Sequence, residues 1–481
     1  MPVTPYCKNL FQTRHDLYQF LLSCRQLSDE KNQNQTVSIS LKIDPVHPLI
    51  ALQTLAHPQQ PSFYFEKQEL ENHLTFNQDG FAIAAFGTSL HWQLEGGDRF
   101  HQAKLLIEST LANAIIAGET DLPFSGPHFF CSFSFFDYSH SEQSAFPAAT
   151  IFLPAFQITY YHHHCILVMN FMIHADTCLE TTVDTLWDNV QAIRSLPAEP
   201  LTPLICTRPA LKTVDVTSTE HFQQAVQAVL KTIQSGSLNK VVLAHAVDVM
   251  SPVAFHRVDS LVNLRRLYPD CYLFASSNGQ GQHFLGASPE RLIRLRNHQL
   301  ITDALAGSAP RGQTTCEDAH LASSLLNTPK ELHEHRVVLD FITQQLSSLG
   351  LAPQCAPLRL LQLSNIQHLQ TPIHAAVSPG IHLLDIVAEL HPTPAVAGVP
   401  RDLACEQIYR YESFERSLYA APIGWVDHQG NGEFAVGIRS ALIDGCHARL
   451  YAGAGIVAGS DPAREMAEVQ LKLQALLQAL V

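Results

Sequence analysis

The chain has 481 residues, 46% apolar and 15% charged, enough for a sizeable core in two or three domains or in one large α/β or α+β unit. A formal net charge of −14 argues against a nucleic-acid-binding surface and leaves no basic tract for a membrane. No run of 18 apolar residues and no basic-then-apolar N-terminal segment occurs, and eleven cysteines without a CxxC pair read as reduced thiols of a cytoplasmic protein.

Residues 1 to about 205 carry little legible chemistry. Phe11 to Leu27 has helical spacing, and apolar or alternating runs at Val37–Ile43, Phe63–Phe65, Phe81–Phe86, Phe129–Phe135 and Ile166–Ile173 read as strands. Gly96-Gly97 marks a turn. His162, His163 and His164 invite a metal, but successive strand residues point to alternate faces and cannot converge on one ion. Pro197, Pro200, Pro203 and Pro209 mark a join to the second half.

From Ser218 the signals tighten. Phe222, Val226, Val229, Leu230 and Ile233 form one helical stripe that stops at Ser235-Gly236. Lys240 then opens a strand, either as a solvated end or as a buried lysine whose pKa falls beside a second cation. Tyr272–Ser276 and His283–Ala287 predict a hairpin around Asn278-Gly279. Glu290 follows in GASPERL, where it either pairs with Arg291 or Arg294 or stays protonated by burial. Ala304–Ala309 reads as a tight loop of small residues.

Thr328-Pro329-Lys330-Glu331 predicts a capping box, and the helix it opens presents Leu332, Leu339, Ile342 and Leu346 to a core. Glu334 sits on the shoulder of that stripe between His333 and His335; HEH is not the HExxH zinc motif. His368, the His391–Gly398 loop, Tyr419 and Arg439 are the remaining marks. The last stretch, YAGAGIVAGSDPAREMAEVQLK from Tyr451 to Lys472, reads as a strand with Gly453 and Gly455, a turn at Gly459-Ser460, and a helix. Asp461 is its expected N-cap and Pro462 its first residue. Glu465 and Glu468 lie beside the buried stripe, with Lys472 at i+4 from Glu468. These charges suit a divalent cation plus a small anion, or a dipole-complementing Glu465 and an ordinary surface pair. The GxGxxxG spacing is not a dinucleotide fingerprint, because no second strand and acidic residue follow it.

KVVLAH, GASPERL, LAGSA, HEH, IQHL, HPTPAVAG, YAAPIGW, GIRSALI, AGAGIVAGSDP and ExxExxxK, in that order, resemble the chorismate-utilising enzymes: anthranilate, aminodeoxychorismate, salicylate and isochorismate synthases. The resemblance runs from about Ser218 to Val481. It implies an α+β fold of large antiparallel sheets packed as a sandwich with helices outside, with 206–481 the chorismate-binding region and 1–205 a divergent part of the same unit. It implies Lys240 as the base that activates water and Glu290 as the acid. Glu334 and Glu468, with Glu465, would hold Mg²⁺ against the ring carboxylate of chorismate, which Lys472 and the Gly307 backbone also bind. Arg439, Tyr419 and the N–H groups around Gly453 and Gly455 would hold the enolpyruvyl carboxylate, with His368 against the ring.

Within that family the anthranilate type lacks a lysine where Lys240 stands, and no glutaminase elbow or glutaminase partner is expected here. Aminodeoxychorismate synthases resemble a different pattern, with a lysine in the Leu305–Ser308 segment. Salicylate synthases share the Lys and Glu pair but tend to carry Thr where Ala395 stands, and Thr rather than Ser308. The resemblance therefore implies a Mg²⁺-dependent isochorismate synthase, monomeric or homodimeric, feeding menaquinone in preference to a siderophore. Its rivals are a salicylate synthase and a non-catalytic chorismate-binding protein.

Overall fold

The computed structural model describes residues 10–68, 80–138, 144–162, 164–197, 211–363 and 366–480. Its architecture follows from one long strand, Phe81–Leu94, which is apolar on both faces as far as Phe86 and alternates after it. The first half pairs with Pro61–Lys67, and the whole length pairs with Ala149–Tyr161. The register shifts between Thr88 and Leu90, just after Gly87 at φ +67°. A bulge of this kind bends and twists a strand, so two layers diverge from it.

One layer continues through Pro61–Lys67, Tyr272–Asn278, Gln282–Ser288, Ser440–Asp444, His447–Val457 and Lys240–Met250. The other runs from the Ala149 end through His128–Phe133, Pro422–Asp427, Gly432–Val436, Arg291–Arg296, Gln299–Pro310 and Ile366–Ala376. These ladders are antiparallel; Gln35–Ile43 against Ala114–Gly118 is parallel. Each layer thus begins with strands of the first half of the sequence and continues with strands of the second. The layers face each other through aromatic side chains. Phe63 and Phe130 have ring centroids 5.0 Å apart, and Phe81 meets Trp425 edge-on at 6.3 Å. Each such fully buried ring contributes about 1.5–3 kcal/mol of transfer free energy. Tyr272 also crosses the gap, donating its hydroxyl to Glu433 at 2.6 Å.

Helices Arg14–Lys31 and Leu179–Arg194 close a second core over Gln35–Ile43, with Leu17, Leu21, Val183 and Val190 on Val37 and Ile39. The expected helix, hairpin and first-half strands are all present, displaced at their ends by a few residues. Pro200, Pro203, Pro209 and His163 lie outside the described residues. His162 sits in the turn between two strands, at φ +46°.

Two expectations are corrected. Ala304–Ala309 is not a loop but part of strand Gln299–Pro310, paired with Ile366–Ala376 and bulged at Gly307. Small apolar residues satisfy a buried strand as well as a turn, and the pairing partner decides. Thr328 forms no capping box: its hydroxyl bonds Ser324 O at 2.7 Å, in the helix that ends there. Helix Pro329–Ser348 buries His335, Val338, Ile342 and Leu346, one position round from the expected stripe, with Leu332 half-buried. It packs on Gln299–Pro310, while helix Pro462–Leu480 packs on His447–Val457. The two glutamate-bearing helices therefore belong to different layers and meet across the cleft between them.

Candidate active site

The floor of the cleft is a strand edge. Beyond Tyr451, His447–Val457 has no strand partner on one side among the described residues. Gly453 lies opposite Ala244, and Gly455 opposite Val242. The N–H of Ala244 bonds Glu412 at 2.7 Å and that of Val242 bonds Ala397 O at 2.7 Å, so neither pair exchanges ladder hydrogen bonds. Main-chain groups of Gly453 and Gly455 consequently face the open side, where Gly453 O accepts from Lys472 Nζ at 2.9 Å. A side chain here would displace its neighbours. A Cβ on Gly453 would stand 2.9 Å from the Tyr419 hydroxyl; one on Gly455 would stand 2.9 Å from Glu334 Oε1 and 3.2 Å from Lys240 Cε.

Lys240 does open its strand, but it is 1% exposed. The cation expected beside it is replaced by a carboxylate, Glu334, whose Oε1 lies 2.7 Å from Nζ. Burial would raise the Glu334 pKa; the charge and hydrogen bond of Lys240, with Lys330 and Lys472 behind them, overcome it and hold the carboxylate ionised. Glu290 is the opposite case. Burial pushes it up to about 7, with Asp303 adding to the shift and Lys240 opposing it. Neither arginine expected as its partner takes that place: Arg291 is committed to Asp303 at 2.6 Å, and Arg294 has a partner elsewhere.

Glu290, Gly307, Glu334, His368, Ala395, Tyr419, Arg439, Gly453, Gly455, Glu465, Glu468 and Lys472 line one cavity of about 160 Å³. Lys240 stands just behind this lining, under Glu334 and Gly455. Arg439 occupies the sterically costly φ of +48° that marks many functional positions. Its carbonyl accepts from Ala287 N–H at 3.1 Å, and a Cβ on Gly286 would stand 2.6 Å from that oxygen. Its guanidinium reaches His368 Nε2 at 3.4 Å. Burial, Arg439 and Lys472 together lower His368 to about 3, so the imidazole is neutral and accepts that bond. Tyr419 stacks on Tyr451 at 5.2 Å, and burial raises its phenol. Lys472 divides its ammonium between Gly453 O and Glu468 Oε1, 2.7 Å away.

Glu331 and Lys330 also line the cavity, and the sequence reading missed both, taking Glu331 for a capping residue. Gly307, at φ +74°, lets Glu331 approach: a Cβ there would stand 3.1 Å from its Oε2. Lys330 lies 3.6 Å from Glu465. Four carboxylates from two helices thus share the cavity. Burial raises Glu331 and Glu465, and Glu334 and Glu468 add to both shifts. Among the described residues no three metal-binding side chains converge closely enough to cage an ion. Mutually repelling carboxylates around open space fit a hard cation such as Mg²⁺, which keeps several waters and takes only one or two carboxylates.

The family model described as "Chorismate binding enzyme" matches residues 19–481, well beyond the stretch that carries the motifs. The chain is 32% identical over 453 residues to the salicylate biosynthesis isochorismate synthase of Pseudomonas aeruginosa, covering 92% of this chain and 90% of that one. It is 33% identical over 365 residues to isochorismate synthase MenF of Bacillus subtilis, covering 74% and 75%. The solved structure of MenF, the menaquinone-specific isochorismate synthase from Escherichia coli, superposes with a TM-score of 0.76 at 26% identity, over 96% of this chain and 100% of that one.

Proposed function

The chain belongs to the family of chorismate-binding enzymes, and from that premise we propose that it is an isochorismate synthase, an isomerase moving a hydroxyl from C4 to C2 of chorismate. The observation that carries this reading is the pair of opposed groups at one cavity: Lys240 buried behind its floor, and Glu290 protonated near neutral pH in its wall. Water addition at C2 requires a base. Lys240 is the base that takes one proton from the attacking water. Loss of hydroxide from C4 requires an acid, and Glu290 delivers its proton to that oxygen, which leaves as water. The two ring double bonds shift in concert, C1=C2 becoming C1=C6 and C5=C6 becoming C4=C5 as the C4–O bond breaks, and no net water is consumed. Each positioned group typically contributes ~10²–10⁴-fold.

Chorismate is a dianion, and the cavity offers it Arg439, Lys472, Lys330 and the N–H groups of Gly453 and Gly455. Arg439 with Tyr419 would bind the enolpyruvyl carboxylate. Glu334 and Glu468, with Glu465, would hold Mg²⁺, which when bound supplies the charge to bind the ring carboxylate. Water as the nucleophile requires no ammonia-supplying partner. Ala395 and Ser308 leave the substrate without the extra methyl groups that the salicylate-forming pattern carries. The match to a menaquinone-specific enzyme over 96% of the chain supports menaquinone supply as the pathway. Incubation with chorismate and Mg²⁺, followed by chromatography, tests the reading: isochorismate without pyruvate is expected, stoichiometric pyruvate would make the chain a salicylate synthase, and unchanged chorismate would refute it.

A further inference from the structure

Strand Lys240–Met250 turns main-chain groups of Val242 and Ala244 away from the glycine strand. The two-residue strand Gly398–Val399 covers Lys240 and Val241 and goes no further. Two side chains complete the edge. Arg416 donates to Val242 O at 2.8 Å, and Glu412 accepts the Ala244 N–H. They also bond each other through one guanidinium edge, Nη2 to Oε1 at 2.5 Å and Nε to Oε2 at 2.8 Å. The third nitrogen, Nη1, donates to Val396 O at 2.9 Å. Arg416 is 1% exposed; its guanidinium lies 4.3 Å above the Phe135 ring and 5.7 Å from that of Tyr419. Its own carbonyl accepts the Tyr419 N–H at 2.8 Å.

A buried ion pair is a weak source of net stability, because desolvation cancels most of the attraction. This one instead ties together three segments at the cavity: the strand that starts with Lys240, the Ala395–Val396 wall, which is laddered to that strand only further on through Gly398–Val399, and the turn carrying Tyr419. Val242, Ala395, Val396 and Tyr419 all line the cavity, whereas Glu412 and Arg416 do not. We propose that Glu412 and Arg416 are positioning residues of the active site, their ion pair setting the placement of the base strand relative to the Ala395–Val396 and Tyr419 walls. The inference rests on the function proposed above.

The test compares Glu412→Gln and Arg416→Lys with Asp248→Asn, all in the full chain with Mg²⁺. Asp248 lies on the same strand, far along from Lys240, where it holds Arg449 at 2.7 and 2.9 Å. At a temperature where circular dichroism shows each variant folded, kcat for chorismate conversion is expected to fall roughly 10–100-fold in the first two, since small misplacements of reacting groups cost that much. Their KM is expected to rise as Tyr419 loosens. Asp248→Asn should lose thermal stability and keep both constants. Wild-type kcat and KM per folded molecule in Glu412→Gln would overturn the proposal even if Arg416→Lys does not fold. A wild-type protein that leaves chorismate unchanged would instead overturn the functional reading, and this inference with it.

Discussion

Lys240 Nζ and Glu334 Oε1 are 2.7 Å apart, with the two side chains 2% and 15% exposed. The pair joins the first residue of a strand in one layer to a helix packed on the other, so it spans the cleft in which the chemistry is placed. Truncating one partner of such a pair leaves a buried charge and costs about 3–5 kcal/mol. Lys240→Ala should therefore lower the thermal midpoint as well as abolish water addition, with turnover down by ~10²–10⁴-fold. Chorismate binding, followed by calorimetry, should remain measurable. Retained turnover would remove Lys240 as the base.

Glu290 makes both activity and stability pH-dependent. Its folded pKa of about 7 exceeds the ordinary 4.5, so the folded chain binds the proton more tightly than the unfolded chain. The resulting stabilisation is full below pH 4.5 and is lost as pH rises through 7, a change on the order of 3 kcal/mol. The acid-dependent limb of kcat should decline over the same upper range. Glu290→Gln should abolish that limb of the stability profile and lower kcat by ~10²–10⁴-fold. A full-strength pH dependence of unfolding in the variant would assign it to another group.

Gly455→Ala places a methyl group 2.9 Å from Glu334 Oε1. Overpacking of this kind costs about 1–3 kcal/mol, and here it also displaces the lysine pair, so activity should be lost beyond what the stability change explains. Gly459→Ala is the contrast. At φ +88°, with nothing within 4 Å of the added carbon, it costs about 1–2 kcal/mol of backbone strain and should leave kcat unchanged. Equal activity losses in the two variants would show that general destabilisation, not the pair, is responsible.

Chelation of divalent cations should abolish turnover, and Mg²⁺ should restore it. Glu334→Gln should shift the Mg²⁺ titration midpoint of activity by at least roughly tenfold. An unchanged midpoint would place the ion elsewhere. Because burial, with the neighbouring glutamates adding to it, raises the pKa of Glu331 and Glu465, Mg²⁺ should release protons on binding at mildly acid pH, measurable in weakly buffered solution.

Ala395 is half-buried in the cavity wall next to Val396. Ala395→Thr adds a methyl and a hydroxyl there, and a lactate dehydrogenase-coupled assay should then detect pyruvate beside isochorismate. A clean isochorismate product would remove this side chain from the control of product choice.

Local patterns were legible. The Asp461 cap forms as expected, its carboxylate accepting from the N–H groups of Ala463 and Arg464. The Lys240 strand and the Asn278 hairpin also stand where period and turn residues put them, because caps, turns and apolar period act within a few residues of the chain. The glycines at 453 and 455 were legible as strand residues, with N–H groups that the resemblance placed on a carboxylate, though not as seats for the Tyr419 hydroxyl and the Lys240–Glu334 pair. Glu331 was misassigned because a helix start explains a glutamate at that spacing without any cavity.

What the sequence by itself determined is therefore some of the elements, with their caps and turns, and the residues able to do acid–base and anion chemistry. Tertiary structure alone decided which charges face one another: that Lys240 meets Glu334, that Glu290 is left without an arginine, and that Glu412 and Arg416 finish an open strand edge. Coulomb and desolvation terms depend on distance and burial between segments far apart in the chain, 94 residues for Lys240 and Glu334, and nothing in the local order of side chains encodes either quantity.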